Sequence, residues 1–161
     1  MTKITLKRQL HLVDIENLLG DPRPSECAVS EALALYAQLV DVRGPNQIIV
    51  ACNHGAASAV GCCLGEGPRL LVRSGHNGAD EALLDVLATE RVEERFTEVI
   101  LASGDGIFAS HVAELTSRGI PVTVVARRDS LSARLRLASS EIVYFESPEP
   151  PVGSIAMAVA A

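Results

Sequence analysis

Short apolar runs of four to six residues recur along this chain, and segments of helical periodicity fill the gaps between them. The runs are Leu10–Val13, Gln47–Cys52, Arg69–Arg73, Glu98–Ala102, Pro121–Ala126 and Ile142–Phe145. Between the first two, Ala28, Val29, Ala32, Leu33, Leu35, Tyr36, Leu39 and Val40 follow the spacing of one helix face. Gly44-Pro45 is expected to stop that helix. Ala82 to Val92 forms a second helical stretch, and Phe108–Ser117 a third, ended by Gly119. Shorter helical pieces are expected over Ala56–Leu64 and Leu131–Leu137. Parallel strands need a long crossover, and a crossover helix covers one face of the sheet. The expected fold class is therefore α/β, with a mainly parallel central sheet flanked by helices.

Such a sheet is buried on both faces and needs an aliphatic core. The composition suits it: 48% of residues are hydrophobic, 3% are aromatic and Trp is absent. A chain of 161 residues fits one domain. That domain is expected over residues 1–146. Pro148, Pro150 and Pro151 then set apart a tail over residues 147–161. The net charge of −6 gives no general attraction to nucleic acid. A nucleic-acid enzyme of this charge needs a local basic patch, or a cation that neutralises its acids. Cys27, Cys52, Cys62 and Cys63 form no C-x-x-C and no zinc pattern, and read as small buried thiols of a reducing compartment. Lys3, Lys7 and Arg8 precede no long apolar run, and Ile155–Ala161 is too short to span a bilayer. A soluble, cytoplasmic protein with no membrane partner is expected.

Three aspartates stand where an open parallel sheet builds its sites, outside the carboxyl ends of the strands. Asp14 follows His11-Leu12-Val13, and Asp105 lies in Ser103-Gly104-Asp105-Gly106 after the fourth run. Asp80 ends Ser74-Gly75-His76-Asn77-Gly78-Ala79-Asp80, just before a helix. A strand-end Asp taken alone is a common cap or turn residue. Three at one sheet edge repel one another unless a cation compensates. Hard carboxylate oxygens suit Mg²⁺ or Mn²⁺, which lower the pKa of bound water and hold phosphate oxygens for in-line attack. Glu16 either joins this cluster or faces solvent. His54 follows the second strand, as a proton shuttle or a loop cap. Arg127-Arg128, with Arg134 and Arg136 close behind, can hold a phosphodiester backbone or simply face water. No aromatic platform for stacking bases is evident, which implies little sequence selectivity.

The ordered set Val13-Asp14-Ile15-Glu16-Asn17, Gly78-Ala79-Asp80-Glu81-Ala82-Leu83-Leu84-Asp85 and Ser103-Gly104-Asp105-Gly106-Ile107-Phe108 resembles the NYN domains, a branch of the PIN-like nuclease superfamily. Gly119-Ile120-Pro121-Val122 and Ser130-Leu131 are also similar, so the resemblance spans Leu10 to Phe145. It implies a Rossmann-like sheet and a metal-dependent ribonuclease site. Asp14, Asp80 and Asp105 would be its catalytic, metal-binding acids, and Asn17 would orient the site or contact substrate. The implied partner is RNA, single-stranded or structured. Two positions depart from the family pattern. Ile107 stands where a second acid often follows Ser-Gly-Asp, and Asn77 where a lysine often precedes Gly-Ala-Asp. His76 then offers a replacement phosphate contact. Asp85 matches a recurring family acid, but five residues along a helix turn it about 140° from Asp80.

Two other classes compete. A degenerate NYN fold would serve as an RNA-binding or protein-interaction module, in keeping with Ile107 and Asn77. Phosphoryl transfer on a similar fold normally requires a lysine downstream of the first Asp. The only lysines here, Lys3 and Lys7, precede it. The sequence leaves open whether the chain forms a homodimer.

Overall fold

In the first strand, β1 (Gln9–Asp14), alternate residues enter two different cores. Leu10 and Leu12 face one side, while Val13 joins the other. The computed structural model, which describes residues 7–42 and 44–146, repeats this alternation across a six-stranded sheet. The remaining strands are β2 (Gln47–Cys52), β3 (Arg69–Val72), β4 (Glu98–Ala102), β5 (Val122–Ala126) and β6 (Glu141–Tyr144). All pairings are parallel and the order is β3-β2-β1-β4-β5-β6. The expected α/β class is thus the observed one. The proposed tail over residues 147–161 lies outside the described residues.

Helices cover both faces. On one side lie α1 (Ile15–Leu19), α2 (Glu26–Leu39) and α3 (Ala57–Cys63), which bury Leu18, Val29, Tyr36 and Val60 against Val13, Val50 and Ile100. On the other lie α4 (Gly78–Thr89), α5 (Val92–Arg95), α6 (Ala109–Ser117) and α7 (Ala133–Ala138). Their Leu83, Val86, Val112 and Leu135 pack on Leu12, Ile49, Leu101 and Val124. Each buried Leu, Val or Ile contributes roughly 1.5–3 kcal/mol over exposure, so both layers are strongly held.

Several boundaries differ from expectation, each for a local reason. The first long helix ends at Leu39, before Gly44-Pro45, because Val40 turns extended and buries its side chain. The second begins at Gly78 and stops at Thr89, so Asp80 lies inside its first turn. Residues 92–95 form the separate short α5. The five-residue α1 has no apolar period long enough to announce it; Asp14 caps its start and Gly20, at φ 68°, its end.

β1 lies between β2 and β4, where the chain stops adding strands on one side and begins adding them on the other. Crossovers to left and right part there, which opens a crevice at the carboxyl ends of the strands.

Candidate active site

Asp14 is the last residue of β1 and points to the α4 side, in step with Leu10 and Leu12. Asp80 comes down to it from the first turn of α4. Gly78 permits this close approach: a Cβ there would stand 2.4 Å from the Arg73 carbonyl oxygen. The preceding Asn77 adopts a left-handed φ of 60° to start the helix. The two aspartates line a cleft of about 210 Å³ together with Glu16, Asn17, Asn53, Asn77 and the small residues Gly75, Gly78 and Ala79. Three carboxylates and three amides therefore face one opening at the switch point.

Asp14 and Asp80 are only 4% and 8% exposed. Burial, followed by the negative charge of Asp80, pushes the Asp14 carboxyl up from 3.8 to about 8. Burial also raises Asp80, opposed by its contact with Asp14 and reinforced by the charges of Asp105 and Glu16. The two groups stand within hydrogen-bonding reach, which is attractive only when they share a proton. Asp80 Oδ1 is buried with no hydrogen-bond partner among the described residues. An unpaired, buried carboxylate oxygen is costly. A proton or a cation relieves it.

Neighbouring residues hold this arrangement in place. Asp14 Oδ1 accepts from the Asn17 backbone N–H at 3.2 Å. The Asn17 side-chain oxygen accepts from Gly104 N–H at 2.9 Å, tying α1 to the end of β4. A Glu16 carboxylate oxygen accepts from the backbone N–H of Asn53, tying α1 to the end of β2. Gly104 in turn packs so tightly that a Cβ would stand 2.5 Å from the Ser130 carbonyl oxygen.

Asp105 lies at the same sheet edge, and Asp80 feels its charge. It does not line the cleft. Its Oδ1 accepts from Ile107 N–H at 2.9 Å and caps the 3-10 turn Gly106–Phe108. Among the described residues, no group of three or more His, Cys, Asp or Glu side chains closes to metal-holding geometry. The donor set nevertheless fits one hard cation at Asp14 and Asp80, since Mg²⁺ commonly takes one or two carboxylates and completes its shell with water and substrate oxygens. The unpartnered Asp80 Oδ1 is the feature that fits it best.

The other expected residues divide. Asn17 lines the cleft. His76 is exposed on the loop between the lining residues Gly75 and Asn77. The Arg127 guanidinium packs over Gly20 at the end of α1, with its Nε 3.3 Å from Asp129. Arg128 is committed to the surface, bonded to Glu146 at 2.8 Å and stacked 3.9 Å over Tyr144. Asp85 pairs with Arg73 at 2.7 Å on the exposed side of α4. His54 is clipped to Ser74 through Nδ1. Ile107 packs on the apolar cluster under α4 and α6 rather than in the cleft. The expectation of buried thiols holds for Cys52 alone; Cys27 and Cys62 are exposed and Cys63 is half-buried, because α2 and α3 carry them outward.

Sequence reasoning passed over Asn53 and His11, and it left Glu16 open. Asn53 carried a signal, since it directly follows β2 at the carboxyl edge. His11 carried none: it is fully buried in β1, where burial lowers its pKa from 6.5 to about 4. Its Nδ1 is 2.7 Å from Tyr36 Oη, whereas Nε2 has no partner among the described residues. A larger cavity, about 350 Å³, lies apart from the acids beside His111 and Arg118. Its charges neutralise each other, with Arg118 bound to both Glu93 and Glu114, so the smaller acidic cleft is the better candidate.

Fold and cleft together define an α/β protein of the Rossmann-like class with an acidic switch-point site. No family model matches the chain, and no curated protein does. Among solved structures, a protein of unknown function from Vibrio parahaemolyticus RIMD 2210633 is similar, with a TM-score of 0.58 at 17% identity. The match covers 91% of this chain and 97% of that one. At that identity the likeness concerns the fold. Among the described residues, no helix is long and apolar enough to cross a membrane.

Proposed function

We propose that this chain is a metal-dependent ribonuclease that hydrolyses RNA phosphodiesters at the Asp14–Asp80 cleft. One observation carries the reading: two buried, adjoining carboxyl groups, one with an unpartnered oxygen among the described residues, open into a cleft at the switch point. The sequence resemblance to NYN domains supplies the reaction class. Asp14 and Asp80 would hold Mg²⁺ or Mn²⁺, with Asp105 adding negative potential from the adjacent strand end. Such a cation supplies a water of lowered pKa and charge compensation for phosphate oxygens. Asn17 keeps the ends of β1 and β4 in register through Gly104. Asn77 would present its amide group to the substrate, while Asn53, whose amide is bonded to the Pro22 carbonyl oxygen and the Ala56 N–H, shapes the wall of the cleft. His76, on the loop between the lining residues Gly75 and Asn77, is a candidate phosphate contact, whereas Arg127, packed over Gly20 beside Asp129, would have to reorient to serve as one. The cleft is lined by no aromatic side chain on which bases could stack, so little selectivity for base sequence is expected of single-stranded or structured RNA. A cytoplasmic site of action belongs to the same proposal.

The test is cleavage of a labelled single-stranded RNA with Mn²⁺, with EDTA, and with Asp80→Asn. Cleavage that needs Mn²⁺ and falls at least a hundredfold in the variant is expected. A second reading, a non-catalytic binding module, is favoured by the core position of Ile107. RNA binding without cleavage, together with no calorimetric uptake of Mn²⁺, would establish that module instead.

A further inference from the structure

Away from the cleft, two cysteines meet where α2 begins and α3 ends. Cys63, the last residue of α3, donates its thiol to the Glu26 carbonyl oxygen at 3.4 Å. That carbonyl belongs to the peptide bond joining Glu26 to Cys27, so the Cys63 sulfur lies one peptide unit from the Cys27 α-carbon. Cys63 in turn adds, as a lesser cause after Glu31 and burial, to the upward shift of the Cys27 thiol. Both are unbridged, and Cys27 is exposed. The Cys27 thiol donates to Glu31 Oε1 at 3.5 Å, one turn further along α2.

We propose that Cys27 and Cys63 form a peroxide-oxidisable dithiol site whose product is an intramolecular disulfide joining α2 to α3. Hydrogen peroxide, the oxidant, converts the Cys27 thiol to a sulfenic acid and is reduced to one water. The Cys63 sulfur then attacks the Cys27 sulfur. The S–S bond forms, the S–O bond breaks, and the hydroxyl leaves with the Cys63 proton as a second water. The bond requires the Cys27 thiol to leave Glu31 and turn towards the Cys63 sulfur, which already sits at the peptide unit preceding Cys27.

Glu31 sets the rate. Its hydrogen bond and its charge hold the proton on Cys27, while burial and the charge of Glu26 hold the proton on Cys63. The thiolate is the reacting form, so the site stays reduced under mild conditions and reacts faster as pH rises. The crosslink encloses β2 and Asn53, and therefore braces the segment behind one wall of the cleft.

The test treats the native chain with hydrogen peroxide, blocks free thiols before denaturation, and maps disulfide-linked peptides. A Cys27–Cys63 linked peptide is expected. Tm should rise by about 5–10 °C, reversed by dithiothreitol. Cys62→Ser should keep the link. Cys63→Ser should abolish it and leave a dimedone-reactive sulfenic acid at Cys27. Glu31→Gln should speed crosslinking several-fold at neutral pH. Linkage through Cys62, intermolecular dimers, or oxidation with no crosslink would each overturn the assignment.

Discussion

Replacing Asp14 by Asn removes one charge from the buried pair while keeping its shape. Asn caps a helix as well as Asp does, so α1 keeps its start. The new amide also offers an N–H to the unpartnered Asp80 Oδ1. In the wild type, the native state holds a proton at Asp14 up to about pH 8, whereas the unfolded chain releases it near 3.8. The native state thus binds more protons between these values, and stability falls as pH rises through that window. About four pH units at ~1.36 kcal/mol each set a ceiling of roughly 5 kcal/mol. Water entering the open cleft lowers this, and we expect about 2–3 kcal/mol.

His11 works in the opposite sense. Its folded value of about 4 lies below the unfolded 6.5, so the stability it supports is present above pH 6.5 and is lost as pH falls towards 4. The two effects oppose each other below pH 6.5. Above it, the Asp14–Asp80 pair, raised mainly by burial, sets the trend and the wild type should weaken towards pH 8. Urea unfolding in EDTA at pH 4, 6 and 8 isolates the aspartate as the difference between wild type and Asp14→Asn. The variant should match the wild type at pH 4 and exceed it by about 2–3 kcal/mol at pH 8. Mn²⁺ should reverse the order, since it stabilises the chain that binds it. A pH-independent difference, or a variant weaker at pH 8 without metal, would refute the strained pair.

Ile107→Asp should cost about 1–3 kcal/mol, seen as a lower urea midpoint without tighter Mn²⁺ binding, because Ile107 packs on the core. Gains in both metal affinity and cleavage would instead reveal a vacated ligand position. Tyr36→Phe should destabilise by about 1–3 kcal/mol by stranding the buried His11 Nδ1. Adding His11→Leu should recover much of that loss in a double-mutant cycle. Asn17→Ala should slow RNA cleavage more than it lowers Tm, since it removes a side chain that lines the cleft and frees the Gly104 N–H that it holds. Equal effects on both would reduce Asn17 to a structural clip.

Much of this architecture was legible in the order of the residues. Gln47–Cys52 and Glu98–Ala102 are strands over the same residues that their apolar runs mark. The alternation of strand and helix leaves little but a covered parallel sheet, because both periodicities are local and each element must bury its own apolar side. The carboxyl-edge placement of Asp14, Asp105 and His54 follows from the same logic, as each ends or closely follows a strand.

Tertiary structure decided which of these groups meet. Asp14 reaches Asp80 because β1 parity turns it towards α4 and because that helix starts early, at Gly78. Glu16 and Asn53 enter the cleft through a bond between segments 37 residues apart. Asp105 turns aside because its own Ile107 N–H is the nearer partner. The burial of His11 against Tyr36 belongs to the same class. Sequence periodicity determines which side of an element is apolar. The partner of a polar group, and hence its charge state, depends on distances set by strand order and helix docking.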